Sequence, residues 1–396
     1  MRATNRIRCT SLSESRRPGK PEILFEPPLI RIAYVIPTLD QSGAERQLTL
    51  LATGLPRETY SVRVFALQRG GPYLKTLTDA GIDVRVLHKR FRLDPLTLYQ
   101  LRRELRSFQP HIVQSFLFAA NSYVRLPGVT PTTTKIVVSE RCVDSWKSRW
   151  QLSLDRRLIP RTHAMTANSN SVADFYAGIG VPPDLITVIP NALSITESRY
   201  SKQQSREILG LKNEHRILGF VGRLAPQKRL HDVIWAFQLL HQLVDNARLV
   251  LVGSGPERDA LSELARSFGC RDRIVFAGHR EDASSLMTAF DAFVLGSDFE
   301  GMSNSLMEAM AIGLPCMASD IPPNRELITD GETGILFPVG KAPDLAKLSA
   351  RVLTDVDLGN RLGQAARHHI TNNYKVEQMV TAHESLYRRL SSVEAS

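Results

Sequence analysis

The sequence predicts an α/β protein of two Rossmann-like, doubly wound domains, and three observations carry that prediction. Short apolar, β-prone runs alternate with amphipathic helical runs along most of the chain, the pattern of right-handed βαβ units around a parallel sheet. Each half contains a buried strand that leads through a polar, Gly-bearing loop into a helix, at residues 31–55 and 291–312. The chain's 396 residues suit two or three domains better than one.

Residues 31–36 (RIAYVI) form the first strand. The loop Pro37 to Glu45 follows, and then a helix over 46–55. Residues 61–67, 84–87, 112–115 and 135–139 read as strands, and 72–80, 94–108 and 169–177 as helices. Residues 186–190 are a short late strand. Over 191–204 the composition shifts to Ser, Thr and charged residues, which marks a linker.

The second half opens with the strand 216–221 (RILGFV), which ends at Gly222-Arg223. Lys228 then precedes a helix that starts near 229. The strand 247–252 ends at Gly253-Ser254-Gly255, and 274–276 leads to Gly278-His279-Arg280. Residues 291–295 (DAFVL) are short, apolar and β-prone, as in a strand buried on both faces. Ser303 and Asn304 are good N-caps for the helix 306–312, which Gly313 and Pro315 end. A helical run at 376–390 completes the order. Asp355-Val356-Asp357 lies in a polar helical tail, a poor setting for a metal.

The stretch 299–315 (FEGMSNSLMEAMAIGLP) carries the chemistry. A helix N-terminus offers unpaired N–H groups and the positive end of a dipole, which suits a phosphate. Glu300 and Glu308, eight residues apart, bracket that start, and carboxylates accept hydrogen bonds from sugar hydroxyls well. Glu300, Glu308 and the flanking Gly301, Met302, Ser303, Asn304, Ser305 and Gly-Leu-Pro resemble the E-x7-E signature of family-four retaining glycosyltransferases, which have the GT-B fold.

That resemblance implies two domains facing a cleft, with the nucleotide sugar on the second and the acceptor on the first. It implies a basic disordered tail at 1–28, a first domain at 29–195, a second at 196–375, and a closing helix at 376–396 that crosses back. Gly43 sits in a stretch similar to the family's Gly-Gly-Ala-Glu loop, which faces the donor diphosphate. Gly222, Arg223 and Lys228 resemble the family's Gly-Arg-Leu…Lys element, with Arg229 where Gly is usual, a change expected to alter the turn. An Arg fork and a Lys point charge there would meet the diphosphate. Gly253 and Gly255 form the next donor turn, and His279 and Arg280 would lie beside the base. Arg223, Lys228 and Glu300 are the expected catalytic residues, with no metal and no cofactor beyond the donor.

Residues 110–118 resemble the family segment that often carries a His, but here Gln114 and Phe116 occupy the matching positions. They are expected on the acceptor side, together with Glu140 and Arg141 at the end of the strand 135–139. In the stretch 145–161 (SWKSRWQLSLDRRLIPR), Trp146 and Trp150 fall four residues apart, with Lys147, Arg149, Arg156, Arg157 and Arg161 nearby. Two readings stand: an interfacial helix on a membrane, or a domain helix that buries its Trp pair with Leu152, Leu154 and Leu158.

Composition narrows the partners. The formal net charge is +10, and residues 1–20 hold six basic groups against Glu14. The remaining excess suits an anionic substrate or an anionic membrane surface, and no recognition motif supports nucleic acid. No apolar run approaches the ~18 residues of a membrane span, and the N-terminus lacks the apolar core of a secretory signal. Four scattered cysteines without a CxxC read as reduced thiols in a cytoplasmic protein, and the Trp and basic residues of 145–161 extend that expectation to a peripheral place at the inner membrane face. The expected activity is hexosyl transfer to a glycan or lipid-linked acceptor in polysaccharide or glycolipid synthesis. A sugar-nucleotide epimerase of the same fold and a non-catalytic partner in polysaccharide assembly are the alternatives.

Overall fold

The computed structural model describes residues 29–194 and 198–392. The expected tail at 1–28 lies outside them. The described strands form two sheets, and every pairing is parallel. The first holds β1 (Ile30–Thr38), β2 (Tyr60–Arg69), β3 (Asp83–Val86), β4 (Ile112–Phe116), β5 (Lys135–Glu140), β6 (Ala164–Ala167) and β7 (Ile186–Val188), in the order β3-β2-β1-β4-β5-β6-β7. The second holds β8 (Arg216–Val221), β9 (Ala247–Val252), β10 (Ile274–Gly278), β11 (Ala292–Leu295), β12 (Cys316–Ser319) and β13 (Ile335–Phe337), in the order β10-β9-β8-β11-β12-β13.

Helices cover both faces of each sheet, so the central strands are apolar on both sides. In β1, Ile32, Tyr34 and Ile36 enter one core, and Ala33 and Val35 the other. Strand order reverses between β1 and β4, and again between β8 and β11. Such switch points open a crevice at the carboxyl ends of the strands, and they place the loops discussed below.

The closing helix Val376–Ser392 packs on the first sheet's side of the molecule, against the helix Gly43–Gly54. Tyr387 lies within hydrogen-bonding distance of Tyr34 on β1 (2.9 Å between hydroxyls) and donates to Gln114 on β4. A second tie between the halves is Glu326, whose carboxylate accepts from the backbone N–H of Asn170 (2.8 Å) and Ser171 (2.9 Å). It caps the helix Asn170–Gly178 from the other side of the molecule.

Three details differ from the sequence reading. The helix near the Trp pair runs only from Arg149 to Leu158, so Trp146 lies in the turn before it. The expected linker at 191–204 is not uniform: Asn191 is buried, a helix starts at Lys202, and 195–197 lie outside the described residues. Arg229 does not alter its turn but takes the left-handed conformation a Gly would supply (φ 47°), with Asp232 (2.6 Å) and Asp298 (3.1 Å) holding its guanidinium.

Candidate active site

A cleft of about 1120 Å³ lies between the carboxyl ends of the two sheets. Loops after β1, β5, β8, β9, β10 and β11 line it. Gly43, Gly222, Arg223, Lys228, Gly253, Gly255, His279, Arg280, Glu300, Gly301, Met302, Ser303, Asn304, Ser305 and Glu308 all reach its wall.

The helix Asn304–Ala311 points its start at this space, and its cap Ser303 accepts from the N–H of Leu306 (3.4 Å). The remaining first-turn N–H groups suit an anion. Beside them, Lys228 pairs with Glu300, which also accepts from Ser297 Oγ (2.6 Å). Glu308 pairs with Arg46 from the first domain. Arg223 is exposed and carries no ion pair among the described residues, whereas Arg280 is tied to Asp282 by two 2.8 Å bonds. At the helix start the two carboxylates Glu300 and Glu308 are thus each matched by a cation, while Arg223 and Arg141 reach the same cleft with no carboxylate partner among the described residues. An incoming diphosphate can exchange into such a set without leaving a buried charge bare.

Close backbone approach fixes this geometry. A Cβ on Gly253 would sit 1.9 Å from the carbonyl oxygen of Gly222, and one on Gly301 would sit 2.0 Å from that of Arg141. Gly301 bridges to Cys142, and Val143 N–H donates to Glu300 O (3.1 Å), so the loop after β11 is stitched to the loop after β5. Asn304 is a hub: its Oδ1 accepts from Asn191 Nδ2 (2.9 Å) and Gln47 Nε2 (3.1 Å), and its Nδ2 donates to Gly43 O (3.2 Å). Arg46 and Gln47 were not expected at the site, and Asn191 was read only as part of a corner, Pro190-Asn191-Ala192, similar to the family's Pro-Asn-Gly. The signal for Arg46 was its place in the first turn after the Gly43 loop. Asn191 was masked by its Ser/Thr-rich neighbours.

The acceptor-side expectations need correction. Gln114 is fully buried and bonded to Ser139 Oγ (2.8 Å), and Phe116 is buried against Tyr34. Neither reaches the cleft, because the closing helix covers that end of β4. Glu140 is also buried, accepting from Asn121 Nδ2 (2.9 Å), with Lys147 Nζ 3.8 Å away. Burial pushes its carboxyl up to about 7 despite Lys147. Lys147 is no membrane-facing cation either: it is buried among Asp144 (2.9 Å), Asp155 (3.1 Å) and the Tyr176 hydroxyl (2.7 Å). This cluster lies beneath the loop that carries Arg141 and Cys142 into the cleft. Arg141 does line it and donates to Asn191, and burial lowers its pKa to about 10. Asp355, from the carboxylate pair at 355–357, caps a helix by accepting from Leu358 N–H (2.9 Å). No cluster of three or more potential metal ligands occurs among the described residues.

Two parallel-sheet α/β domains joined around such a cleft are the GT-B architecture. The crystal structure of Anabaena HepE in complex with UDP-glucose superposes with a TM-score of 0.80, at 22% identity over 90% of this chain and 99% of that one. A family model described as glycosyl transferases group 1 matches residues 201–369, and one described as glycosyltransferase family 4 matches 41–197. The chain belongs to the group 1, family 4 glycosyltransferases. It is 30% identical over 232 residues to N-acetyl-α-D-glucosaminyl L-malate synthase of Bacillus anthracis, a match that spans 58% of this chain and 60% of the relative. It is 30% identical over 213 residues to the UDP-Gal:α-D-GlcNAc-diphosphoundecaprenol α-1,3-galactosyltransferase of Escherichia coli, which spans 52% and 55%. These matches thus cover little more than half the length of those relatives.

Proposed function

We propose that the protein transfers a hexose-type sugar, with retained anomeric configuration, from a nucleoside diphosphate sugar to a glycan or lipid-linked acceptor in polysaccharide or glycolipid synthesis. The observation that carries this reading is the convergence of Arg223, Lys228 and an open helix start between Glu300 and Glu308 in one cleft. The names of the relatives add support, since one acts on a diphosphoundecaprenol-linked sugar and another in lipopolysaccharide core synthesis.

In this reading the donor's diphosphate displaces Glu300 from Lys228. Glu300 then accepts from hydroxyls of the transferred sugar, and Glu308 exchanges Arg46 for the ribose. The acceptor oxygen attacks the anomeric carbon on the face the diphosphate leaves. The bond from that carbon to the β-phosphate oxygen breaks, and the acceptor proton passes to the departing phosphate. Arg223, Lys228 and the helix start hold the charge that grows there. The reading calls for no cofactor beyond the donor, and for a site of action at the cytoplasmic membrane face.

The test is incubation with a panel of nucleotide sugars after a thermal-shift screen, where a donor at a hundred times its Kd adds ~2.7 kcal/mol of stability. NMR of the product then reads the anomeric configuration. An inverted product, or epimerised donor without transfer, overturns the proposal.

A further inference from the structure

The first domain carries an apolar surface that the cleft chemistry does not use. Phe91 and Leu93 are each 70% exposed, Leu96 and Tyr99 62%, Trp146 57% and Trp150 51%. These six are half of the twelve large hydrophobic residues exposed among the described residues, and they come together from two stretches. The first is the loop after β3 and the start of the helix Pro95–Phe108; the second is the turn and helix after β5. Arg92 joins the stretches, with its guanidinium carbon 5.4 Å from the Trp150 ring centroid. Trp150 also rests edge-on against Phe118 (5.8 Å).

The surface is built, not frayed. Asp94 accepts from the N–H groups of Arg90 (2.9 Å), Leu96 (3.1 Å) and Thr97 (3.3 Å), and the Tyr123 hydroxyl donates to Arg92 O (3.1 Å). The backbone of the loop is thus pinned while Phe91 and Leu93 are held outward. Leu96, Tyr99 and Arg103 follow at helical spacing on one exposed face.

We infer that this surface docks the protein on an anionic lipid bilayer. Charge selects that occupant. Arg90, Arg92, Arg102, Arg103 and Arg149 are exposed there; of the nearby carboxylates, Asp94 is buried as a helix cap, Asp144 is buried and accepts from Trp146 Nε1 (3.1 Å), and Glu104 offsets Arg103 alone (3.4 Å). Aromatic residues interleaved with Arg fit the headgroup boundary, where rings sit in the interface and cations meet anionic lipid. A second copy of this chain would bring the same cations face to face across a two-fold axis. Position supports the same occupant: Cys142 lines the cleft, and Trp146 follows it by four residues. A bilayer held there presents a lipid-linked acceptor at the cleft mouth. The choice of a bilayer over another polyanion rests on the proposed acceptor class, but the binding test below needs no enzymatic activity.

The full chain is sedimented with phosphatidylcholine vesicles that contain or lack phosphatidylglycerol, and tryptophan emission is read in a Trp235→Phe background. Wild type is expected to bind the anionic vesicles and to show a blue shift. Phe91→Ser/Leu93→Ser and Trp146→Ala/Trp150→Ala variants, shown folded by circular dichroism, should each lose about tenfold or more in partitioning. The six basic groups of residues 1–20 would draw any chain toward anionic lipid, so the variant comparison decides the matter, not the salt curve alone. The proposal is overturned by equal binding of wild type and both variants, or by absent binding at low salt. It is equally overturned if the same variants abolish a concentration-dependent dimer seen by light scattering, or binding to single-stranded oligonucleotide, while vesicle binding is unchanged.

Discussion

Arg46 and Glu308 form an ion pair across the cleft, one residue from each domain. The pair keeps the Glu308 carboxylate matched before any donor arrives, and ribose hydroxyls would take over the carboxylate on binding. Those hydroxyls do not change as the glycosidic bond breaks, so their contact is uniform between ground and transition states. Glu308→Gln is therefore expected to raise donor KM on the order of 10- to 100-fold, the worth of a hydrogen bond to a charged group, with a smaller effect on kcat. Steady-state kinetics with varied donor checks this. A defect confined to kcat would move Glu308 to the reacting sugar.

Lys228 should behave in the opposite way. The diphosphate gains charge as the sugar leaves, so a fixed cation binds it more tightly in the transition state. Lys228→Ala is expected to cut kcat on the order of 10²–10³-fold, or ~3–4 kcal/mol, with a smaller change in KM. Lys228→Arg should restore only part of the loss, because a guanidinium fork differs in reach and shape. Because Glu300 loses its cation in the Ala variant, thermal melts must first show that the protein is folded. Retained kcat with weakened donor binding would make Lys228 a ground-state anchor.

Gly301 has no room for a side chain, since a Cβ would lie 2.0 Å from the Arg141 carbonyl oxygen. Gly301→Ala must push apart the loops after β5 and β11, at a cost of about 1–3 kcal/mol. Lower thermal stability together with reduced donor affinity is the expected result. Wild-type donor binding in this variant would show that the contact between the two loops is not needed to shape the site.

His383 sets an acid limit on stability. Its ring is fully buried, its Nδ1–H donates to Met379 O (2.9 Å), and burial lowers its pKa to about 4. Gln114, Tyr387 and Arg141 face it, and Arg141 adds to the lowering. The folded state therefore binds this proton less readily than the unfolded chain, whose His titrates near 6.5. Stability is full above 6.5 and declines as pH falls toward 4, by up to ~3 kcal/mol. Glu140 acts in the reverse direction, since its raised pKa removes stability as pH climbs from 4.5 to about 7. The deciding measurement is thus the difference in unfolding free energy between wild type and His383→Gln, which should shrink or reverse on acidification. A pH-independent difference would refute the assignment.

Much of this was legible in the sequence. The apolar runs gave the central strands, because parallel strands buried on both faces leave an unbroken hydrophobic signal. β6 (AMTA) and β12 (CMAS) gave no such signal, since they are short, small and partly polar. The cleft wall was readable because its residues cluster in loops directly after strands. Gln114, Glu140 and Lys147 were misplaced because their burial depends on segments far along the chain, or on a loop folding back, which no local pattern encodes. The Trp pair was half understood: the rings are exposed, yet one nearby cation is buried and the other apolar residues of the surface lie some fifty residues upstream.

The hydrogen bond between Tyr34 and Tyr387 joins positions 353 residues apart. The first sheet therefore lacks part of its cover until residue 387 has left the ribosome. Domains usually fold in the order they are made, at ~5–20 residues per second. Here the early-made half must wait roughly tens of seconds, with Gln114 and the surrounding β4 side chains open to water, before the helix Val376–Ser392 emerges. Such long-range closure is slow and exposes apolar surface to aggregation. Yield in the cell should accordingly be more sensitive to loss of the helix Val376–Ser392 than its distance from the cleft suggests.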